Sequence, residues 1–147
     1  MHHEYQEEAM RTMPSLSPEH LPNWALGLCG AVAELQEDIE AGADVVDHVG
    51  NVLWYCHAML TCLKVPADVV LIDLVAATYD PLAAGRIAEI VRKHVFRFRP
   101  LDRVRLLSEI RAVAAGCVLL LGSVPLEECY RRNVVRLWQR YPDGFVS

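Results

Sequence analysis

Three arginines near the carboxyl end of the chain have a spacing that suits phosphate binding. Arg132, Arg136 and Arg140 recur at intervals of four residues, so a helix would place them along one face. A guanidinium is planar and holds two phosphate oxygens at once, which makes this stripe a candidate anion site. A solvated helix face, or a face that pairs with acidic residues elsewhere, would have the same spacing.

A second basic run lies upstream and is interleaved with aromatic residues. Its cations are Arg92, Lys93, Arg97, Arg99, Arg103 and Arg105. Phe96 and Phe98 lie between them. Cations follow a nucleic-acid backbone and aromatic rings stack on bases, so one alternative function is that of a nucleic-acid-binding helical protein.

The net charge is distributed unevenly along the chain. Residues 1–80 hold 13 acidic and 2 basic side chains, a net charge of -11. Residues 81–147 hold 6 acidic and 12 basic side chains, a net charge of +6. Opposite charges on the two halves are consistent with an acidic site beside a basic one. They are equally consistent with attraction between the halves, within one chain or between two copies. Nucleic acid is the less favoured partner because the first half repels it.

The five cysteines contain no Cys-x-x-Cys pair and lie within apolar runs, so we expect buried, reduced thiols. Cys56 and His57 are adjacent, but no second Cys/His pair stands at zinc-ligand spacing. The sequence therefore does not favour a zinc site.

Composition favours a compact fold of one domain. The chain has 147 residues, of which 53% are apolar and 22% charged, enough for a core and too apolar for a disordered chain. The longest uncharged stretch, His48 to Leu63, has 16 residues, which is short for a membrane span. The start, MHHEYQEE, is acidic where a signal peptide is basic. We expect a cytoplasmic protein with no membrane partner.

Apolar residues recur at three and four positions almost throughout, which predicts an all-α helical bundle of about seven helices. Trp24, Leu28, Val32 and Leu35 form one such stripe. Ser17-Pro18 and Asp80-Pro81 are typical of helix starts, and Gly42 of a helix end. The predicted helices span 3–12, 18–41, 44–64, 66–79, 81–97, 101–122 and 125–141.

An internal repeat is visible at an offset of 59 residues, where Val65-Pro66 and Val124-Pro125 each follow a long apolar helix. A helix-hairpin duplication explains this echo, with one repeat over about 18–80 and the other over about 81–141. The alternative is that any helical bundle produces such echoes.

Several segments together resemble the MazG-like nucleotide pyrophosphohydrolases. Gly50–Tyr55 reads GNVLWY, and Asn133–Phe145 reads NVVRLWQRYPDGF, which is similar to the closing motif of that family. The segment Tyr5–Thr12, the segment Leu26–Gly30 with Glu34-Leu35, and the segments Lys93–Phe96 and Pro100–Arg103 add to the likeness. The whole chain, 1–147, is thus interpreted as a single MazG-like helical domain.

The resemblance implies an all-α enzyme, usually oligomeric, that uses magnesium to hydrolyse nucleoside triphosphates to monophosphate and pyrophosphate. It assigns substrate-binding roles to Asn133, Arg136 and Arg140, and includes Lys93 among the candidate substrate-binding residues. It also implies a Glu-x-x-Glu pair on one helix and a Glu-x-x-Asp pair on the next. Residues three apart share a helix face, so two such pairs direct four carboxylates at one cation.

The chain departs from this metal pattern. The first repeat has Ala31 and Glu34, then His48 and Asn51. At the corresponding positions the second repeat has Ala83 and Arg86, then Glu109 and Ala112. Each repeat keeps one carboxylate of four, and the remaining candidate metal ligands are Glu34, His48, Asn51 and Glu109.

Three interpretations of these candidates stay open. In the first, they are helix-face remnants that bind no metal tightly. In the second, Glu34 holds one cation with help from Asp44, Asp47 or Glu37. In the third, a composite site joins Glu34 with Glu109.

We therefore expect a MazG-like relative with a degraded magnesium site, which binds magnesium weakly and acts in nucleotide binding or structure with little hydrolysis. An active pyrophosphohydrolase with a repositioned metal site is the alternative. The expected partners are a nucleoside triphosphate or another phosphorylated small molecule, and either a second copy or an intrachain pseudo-dimer.

Overall fold

The computed structural model describes residues 2–11, 17–71, 74 and 78–144. Over these residues the chain forms seven α-helices and no β-strand, which confirms the predicted all-α bundle. The helices are α1 (His2–Met10), α2 (Leu21–Ala41), α3 (Val46–Cys62), α4 (Ala67–Val70), α5 (Ala83–Phe96), α6 (Arg103–Leu120) and α7 (Leu126–Arg140), with a 3-10 turn at Pro18–His20.

Four long helices form a ring of contacts around the core. Helix α2 packs against α3 and α5, and α6 packs against the same two helices. Helices α1 and α7 pack against each other and against α3. The α3 face that meets these neighbours is fully buried at Val49, Val52, Leu53, Cys56 and Leu60, the three-and-four spacing of a core-facing helix.

Side-chain oxygens cap the 3-10 turn at Pro18–His20 and the start of α6. The hydroxyl of Ser17 accepts a hydrogen bond from the Glu19 amide at 3.3 Å, and the Asp102 carboxylate accepts one from the Arg105 amide at 3.2 Å. These oxygens satisfy amides that have no partner within the helix. Gly42 ends α2 with a φ of 67°, a left-handed conformation that favours glycine.

The predicted helix over 66–79 is wrong. Only Ala67–Val70 is helical, and Leu71, Leu74 and 78–80 are not; the intervening 72–73 and 75–77 lie outside the described residues. The guanidinium of Arg111 binds the carbonyl oxygen of Val70 at 2.6 Å and ends the helix there. A Cβ on Gly116 would lie 3.1 Å from the Tyr79 Cα, so Gly116 lets this non-helical segment lie close against α6.

The five cysteines are unpaired, as predicted. Four are buried and Cys29 is half-buried. Burial raises the pKa of the Cys56 thiol to about 12 and that of Cys129 to about 11. These thiols are therefore protonated at neutral pH and are poor nucleophiles.

Helix α1 is attached to the bundle through the buried side chain of Gln6. Its amide nitrogen donates to the Thr61 hydroxyl at 3.0 Å and to the Val65 carbonyl at 3.2 Å. Its amide oxygen accepts from the Ala67 amide at 2.8 Å. One side chain thus satisfies the polar groups of the turn between α3 and α4. None of the helices described here has both the length and the apolarity needed to cross a membrane.

Candidate functional site

A cleft of about 570 Å³ opens between α2, α3 and the end of α7. Its volume lies within the range of small-molecule sites, roughly 300–1,000 Å³. The lining combines aromatic rings, amides, glycines and two charged groups. The residues are Asn23, Trp24, Gly27, Gly30, Ala31, Glu34, Asn51, Trp54, Tyr55, Asn133, Leu137, Arg140 and Tyr141.

Four of the residues singled out in the sequence meet in this cleft. Glu34 and Asn51 come from the hairpin of α2 and α3, and Asn133 and Arg140 come from α7. Glu34 and Arg140, the two that are furthest apart in the chain, are separated by 106 positions. The contacts between α3 and α7 bring the two groups together.

The other four candidates do not line the cleft. His48 and Arg136 lie at its edge, where they contact Glu34 and Asn51 respectively. Lys93 lies on α5, exposed to solvent, and Glu109 lies on α6. A composite metal site of Glu34 and Glu109 would need a cluster of metal ligands. The described part of the chain contains no such cluster of His, Cys, Asp and Glu side chains.

Small residues on α2 create the space of the cleft. A Cβ on Gly27 would lie 2.2 Å from Cε1 of Tyr55, so the absence of a side chain lets the Tyr55 ring lie directly against α2. A Cβ on Gly30, one helical turn later, would meet nothing within 4 Å. Gly30 therefore faces the open volume of the cleft.

Asn133 is held in the wall of the cleft by a buried contact. It is 2% exposed, and its amide oxygen accepts a 2.6 Å hydrogen bond from the Tyr5 hydroxyl. Burial raises the pKa of Tyr5, so the hydroxyl keeps its proton and remains a donor. A Cβ on Gly50 would lie 3.3 Å from the Asn133 side chain. Gly50, the first residue of GNVLWY, therefore allows α7 to approach α3.

Arg136 binds to α3 instead of projecting freely. Its Nη2 donates to the Asp47 carbonyl at 2.9 Å and to the Asn51 amide oxygen at 3.1 Å. Its Nη1 lies 3.8 Å from the Asp47 carboxylate. Arg136 therefore holds Asn51 in position and ties α7 to α3, whereas the exposed Arg140 makes no ion pair with any described residue and lies 5.4 Å from the Tyr141 ring.

The acidic side chains of the first hairpin surround an imidazole. His48 Nε2 lies 3.4 Å from the Glu34 carboxylate, and His48 Nδ1 pairs with the Asp38 carboxylate. Asp44, one of the residues proposed to help Glu34, instead accepts a hydrogen bond from the Val46 amide at 2.9 Å. A basic side chain thus lies among the carboxylates that a cation would need.

The second hairpin repeats this arrangement with a different base. Arg86 Nη2 lies 2.6 Å from the Asp80 carboxylate, and Arg86 Nε lies 3.0 Å from the Glu109 carboxylate. The hydrogen bond from Arg86 lowers the pKa of Asp80, so this carboxylate stays charged beside its partner. In each hairpin, two of the candidate ligand positions hold a basic and an acidic side chain in contact. These are His48 with Glu34 in the first hairpin and Arg86 with Glu109 in the second.

Magnesium prefers a cluster of oxygen ligands around an open position. Within the described residues, no group of three or more His, Cys, Asp and Glu side chains is arranged to hold a metal ion. The guanidinium of Arg86 would repel added positive charge at the ligand positions of the second hairpin. The residues present therefore do not fit a magnesium site of the implied kind.

The basic run from Arg92 to Arg105 is partly engaged within the fold. Arg92 forms an ion pair with Glu89 at 2.6 Å, and Arg103 donates to the Leu63 carbonyl at 2.7 Å. Phe96 and Phe98 remain exposed, the latter to 91%. This surface is separate from the cleft.

Several residues of the cleft were not predicted as site residues. Asn23, Gly30 and Leu137 line it directly, and Tyr5 forms a hydrogen bond to Asn133 in its wall. The spacing Gly27-x-x-Gly30 was the available signal, because glycines on one helix face allow close approach: Gly27 admits the Tyr55 ring and Gly30 leaves open volume. The role of Tyr5 had no local signal, since its partner is 128 positions away.

Scans of the chain against protein-family models, against curated proteins and against solved structures find no match in any of the three.

Proposed function

We propose that this protein binds a nucleotide in the cleft between α2, α3 and α7, as a MazG-like relative with little or no pyrophosphohydrolase activity. The observation that carries the proposal is the meeting of Glu34, Asn51, Asn133 and Arg140 in one volume of about 570 Å³. Asn133 and Arg140 are two of the residues for which the resemblance implies contact with substrate.

The chemistry of the lining supports a nucleotide ligand. Trp54, Tyr55 and Tyr141 offer aromatic surface, and every nucleobase has a face that stacks on such rings. The amide nitrogens of Asn51 and Asn133 are donors of the kind that read base edges, since the hydrogen bonds found for these two side chains use their oxygens. Arg140 is available for charge-assisted hydrogen bonds to a phosphate.

The contacts of His48 in the first hairpin support the expectation of little hydrolysis. Pyrophosphohydrolysis of the implied kind needs a divalent cation that bridges phosphate oxygens and activates water. Glu34 and Asp38 instead contact His48. We therefore expect weak magnesium binding and turnover near the uncatalysed rate.

Two measurements on the same protein test this proposal. Calorimetric titration with a panel of nucleotides should give saturable binding, and incubation with nucleoside triphosphates plus magnesium or manganese should release almost no pyrophosphate. Robust release that Glu34→Ala abolishes would instead establish the alternative, an active enzyme with a repositioned metal site. Absence of binding at millimolar concentrations would remove the nucleotide hypothesis.

Two arginines of α7 provide a matched pair of variants. Arg140→Ala should weaken nucleotide binding by about 1.5–3 kcal/mol, the range for hydrogen bonds to charged groups. Arg131 is exposed on the same helix and forms an ion pair with Glu128 at 2.6 Å. Because Arg131 does not line the cleft, Arg131→Ala should leave affinity unchanged. Equal losses in the two variants would indicate a nonspecific effect of charge.

A second candidate function is nucleic-acid binding, and one observation favours it. Phe98 is 91% exposed and lies between Arg97 and Arg99 in the sequence, an arrangement suited to stacking on a single strand. Fluorescence anisotropy with a labelled single-stranded oligonucleotide tests it. Phe98→Ala should then reduce affinity, whereas Val135→Ala, at an exposed position of α7, should not.

A further inference from the structure

The charges that line the cleft are few and opposite in sign. Among the described residues, Arg140 is the one cationic side chain in the lining and Glu34 the one anionic side chain. The remaining lining is neutral, composed of amides, aromatic rings and small or apolar residues. The cleft therefore offers one guanidinium to a ligand and places one carboxylate in the same volume.

The nearest further cation has other partners. Arg136 contacts the carbonyl and carboxylate of Asp47 and the amide oxygen of Asn51. Its nearest carboxylate, that of Asp47, lies 3.8 Å away, so part of its charge is already balanced. His48 lies between Glu34 and Asp38 at the edge of the cleft.

One planar guanidinium matches one phosphoryl group, because two parallel hydrogen bonds hold two of its oxygens. Each additional phosphoryl group adds negative charge that a protein or a divalent cation must compensate. In the described lining of this cleft a second or third phosphoryl group would find no cationic side chain besides Arg140, and Glu34 would repel it.

On the basis of the nucleotide binding proposed above, we propose that the ligand of this cleft is a nucleoside monophosphate. Glu34 discriminates against nucleoside di- and triphosphates. Arg140 binds the single phosphate. Trp54, Tyr55 and Tyr141 bind the base, and the Glu34 carboxylate accepts a hydrogen bond from an amino or hydroxyl group of the nucleoside. A neutral or donating part of the ligand therefore lies near Glu34, away from its phosphate.

Calorimetric titration of the full chain with mono-, di- and triphosphates of adenosine, guanosine, cytidine and uridine tests this inference. Each series is measured at equal ionic strength, once with magnesium and once with a chelator. For the preferred base, the monophosphate should bind about tenfold or more tightly than the triphosphate, as expected for uncompensated like charge near a protein surface. Magnesium should leave the affinity for the monophosphate unchanged.

The variant Glu34→Gln separates discrimination from simple binding. Removing the carboxylate charge should raise the affinity for the triphosphate, so that the ratio between the two affinities falls by about fivefold or more. The matched control is Glu37→Gln, an exposed position on the same helix that does not line the cleft, and it should leave the ratio unchanged.

The outcomes distinguish the two proposals. A triphosphate that binds more tightly than its monophosphate overturns this inference and leaves nucleotide binding intact. An unchanged ratio in Glu34→Gln overturns the role assigned to Glu34. Failure of every nucleotide to bind overturns the proposed function and, with it, this inference.

Discussion

The hydroxyl of Tyr5, in the first helix, donates a 2.6 Å hydrogen bond to the buried amide oxygen of Asn133, in the last. Asn133 lines the cleft, so this bond connects the amino-terminal helix to the candidate site. The two rings of Tyr5 and Tyr130 are stacked at 3.9 Å, which fixes the hydroxyl in position. The orientation of Asn133 thus depends on the docking of α1.

The first prediction concerns this hydrogen bond. Tyr5→Phe should lower the free energy of unfolding by about 1–3 kcal/mol, because the buried oxygen of Asn133 loses its donor. Nucleotide affinity should fall as well, since the amide is no longer held in one orientation. Denaturant unfolding and calorimetry measure the two effects. Tyr55→Phe is the control, because the Tyr55 hydroxyl has no hydrogen bond in the described structure, and its stability should match that of wild type.

The second prediction compares two glycines on one helix. Gly30→Ala should raise the free energy of unfolding by about 0.5–1 kcal/mol, since alanine favours the helix and its Cβ meets open space. Gly27→Ala should show no such gain, because its Cβ would lie 2.2 Å from the Tyr55 ring and displace it. Thermal unfolding and near-ultraviolet circular dichroism distinguish the variants. Equal stabilisation by both would contradict the close contact between Gly27 and Tyr55.

The third prediction concerns the lost metal pattern. The triple variant Ala31→Glu, His48→Glu and Asn51→Asp should unfold at a lower temperature than wild type in chelator, because several carboxylates then face one another. Magnesium or manganese should restore much of that loss, since oxygen clusters bind hard cations. Melting temperature with and without metal measures the difference. Ala33→Glu, at an exposed position of α2, should respond little to metal, and an equal response there would sink the prediction.

The fourth prediction concerns pH. Burial lowers the pKa of His57 from 6.5 to about 3, so in the folded chain this imidazole stays neutral in weak acid. The unfolded chain binds a proton there below about pH 6.5, and the folded chain does not, so stability falls as pH decreases through this window. His57 should contribute up to about 1.4 kcal/mol per pH unit.

The pH effect is measured as a difference between proteins. Between pH 6.5 and 4.5, His57→Gln should lose less stability than wild type as the pH falls, in denaturant titrations at each pH. This comparison cancels the titration of carboxylates, which is common to both proteins. His20→Gln, at an exposed position, should follow the wild-type curve. Parallel curves for His57→Gln and wild type would show that His57 does not carry the effect.

The long helices were predictable because each packs one face against the core, and this face repeats apolar residues at intervals of three and four positions in the sequence. Leu28, Val32 and Leu35 recur at helical spacing, and all three are buried in α2. The segment over 66–79 has similar apolar spacing, but its described residues after Val70, which are Leu71, Leu74 and 78–79, are not helical. Its conformation depends on Arg111 and Gly116, which are more than 30 positions away, and no local pattern encodes those contacts.

The candidate site was predictable in part for the same reason. The motifs around Asn51 and Asn133 pointed to residues that the structure places in one cleft. The position of His48 between Glu34 and Asp38 was not predictable, because it depends on how α3 is rotated against α2. The attachment of Arg136 to Asp47 likewise depends on the packing of α7 on α3.

The hydrogen bonds that attach α1 to the bundle cannot form at the start of synthesis, because their partners lie far along the chain. Gln6 finds its partners 55 to 61 positions later, and Tyr5 finds its partner 128 positions later. During synthesis, the hydrogen bonds of Gln6 can therefore form only after the turn between α3 and α4 is made, and that of Tyr5 only after α7 is made. A chain in which α7 has not yet been made lacks the wall that carries Asn133 and Arg140, so the cleft between α2, α3 and α7 forms only after α7 is synthesised.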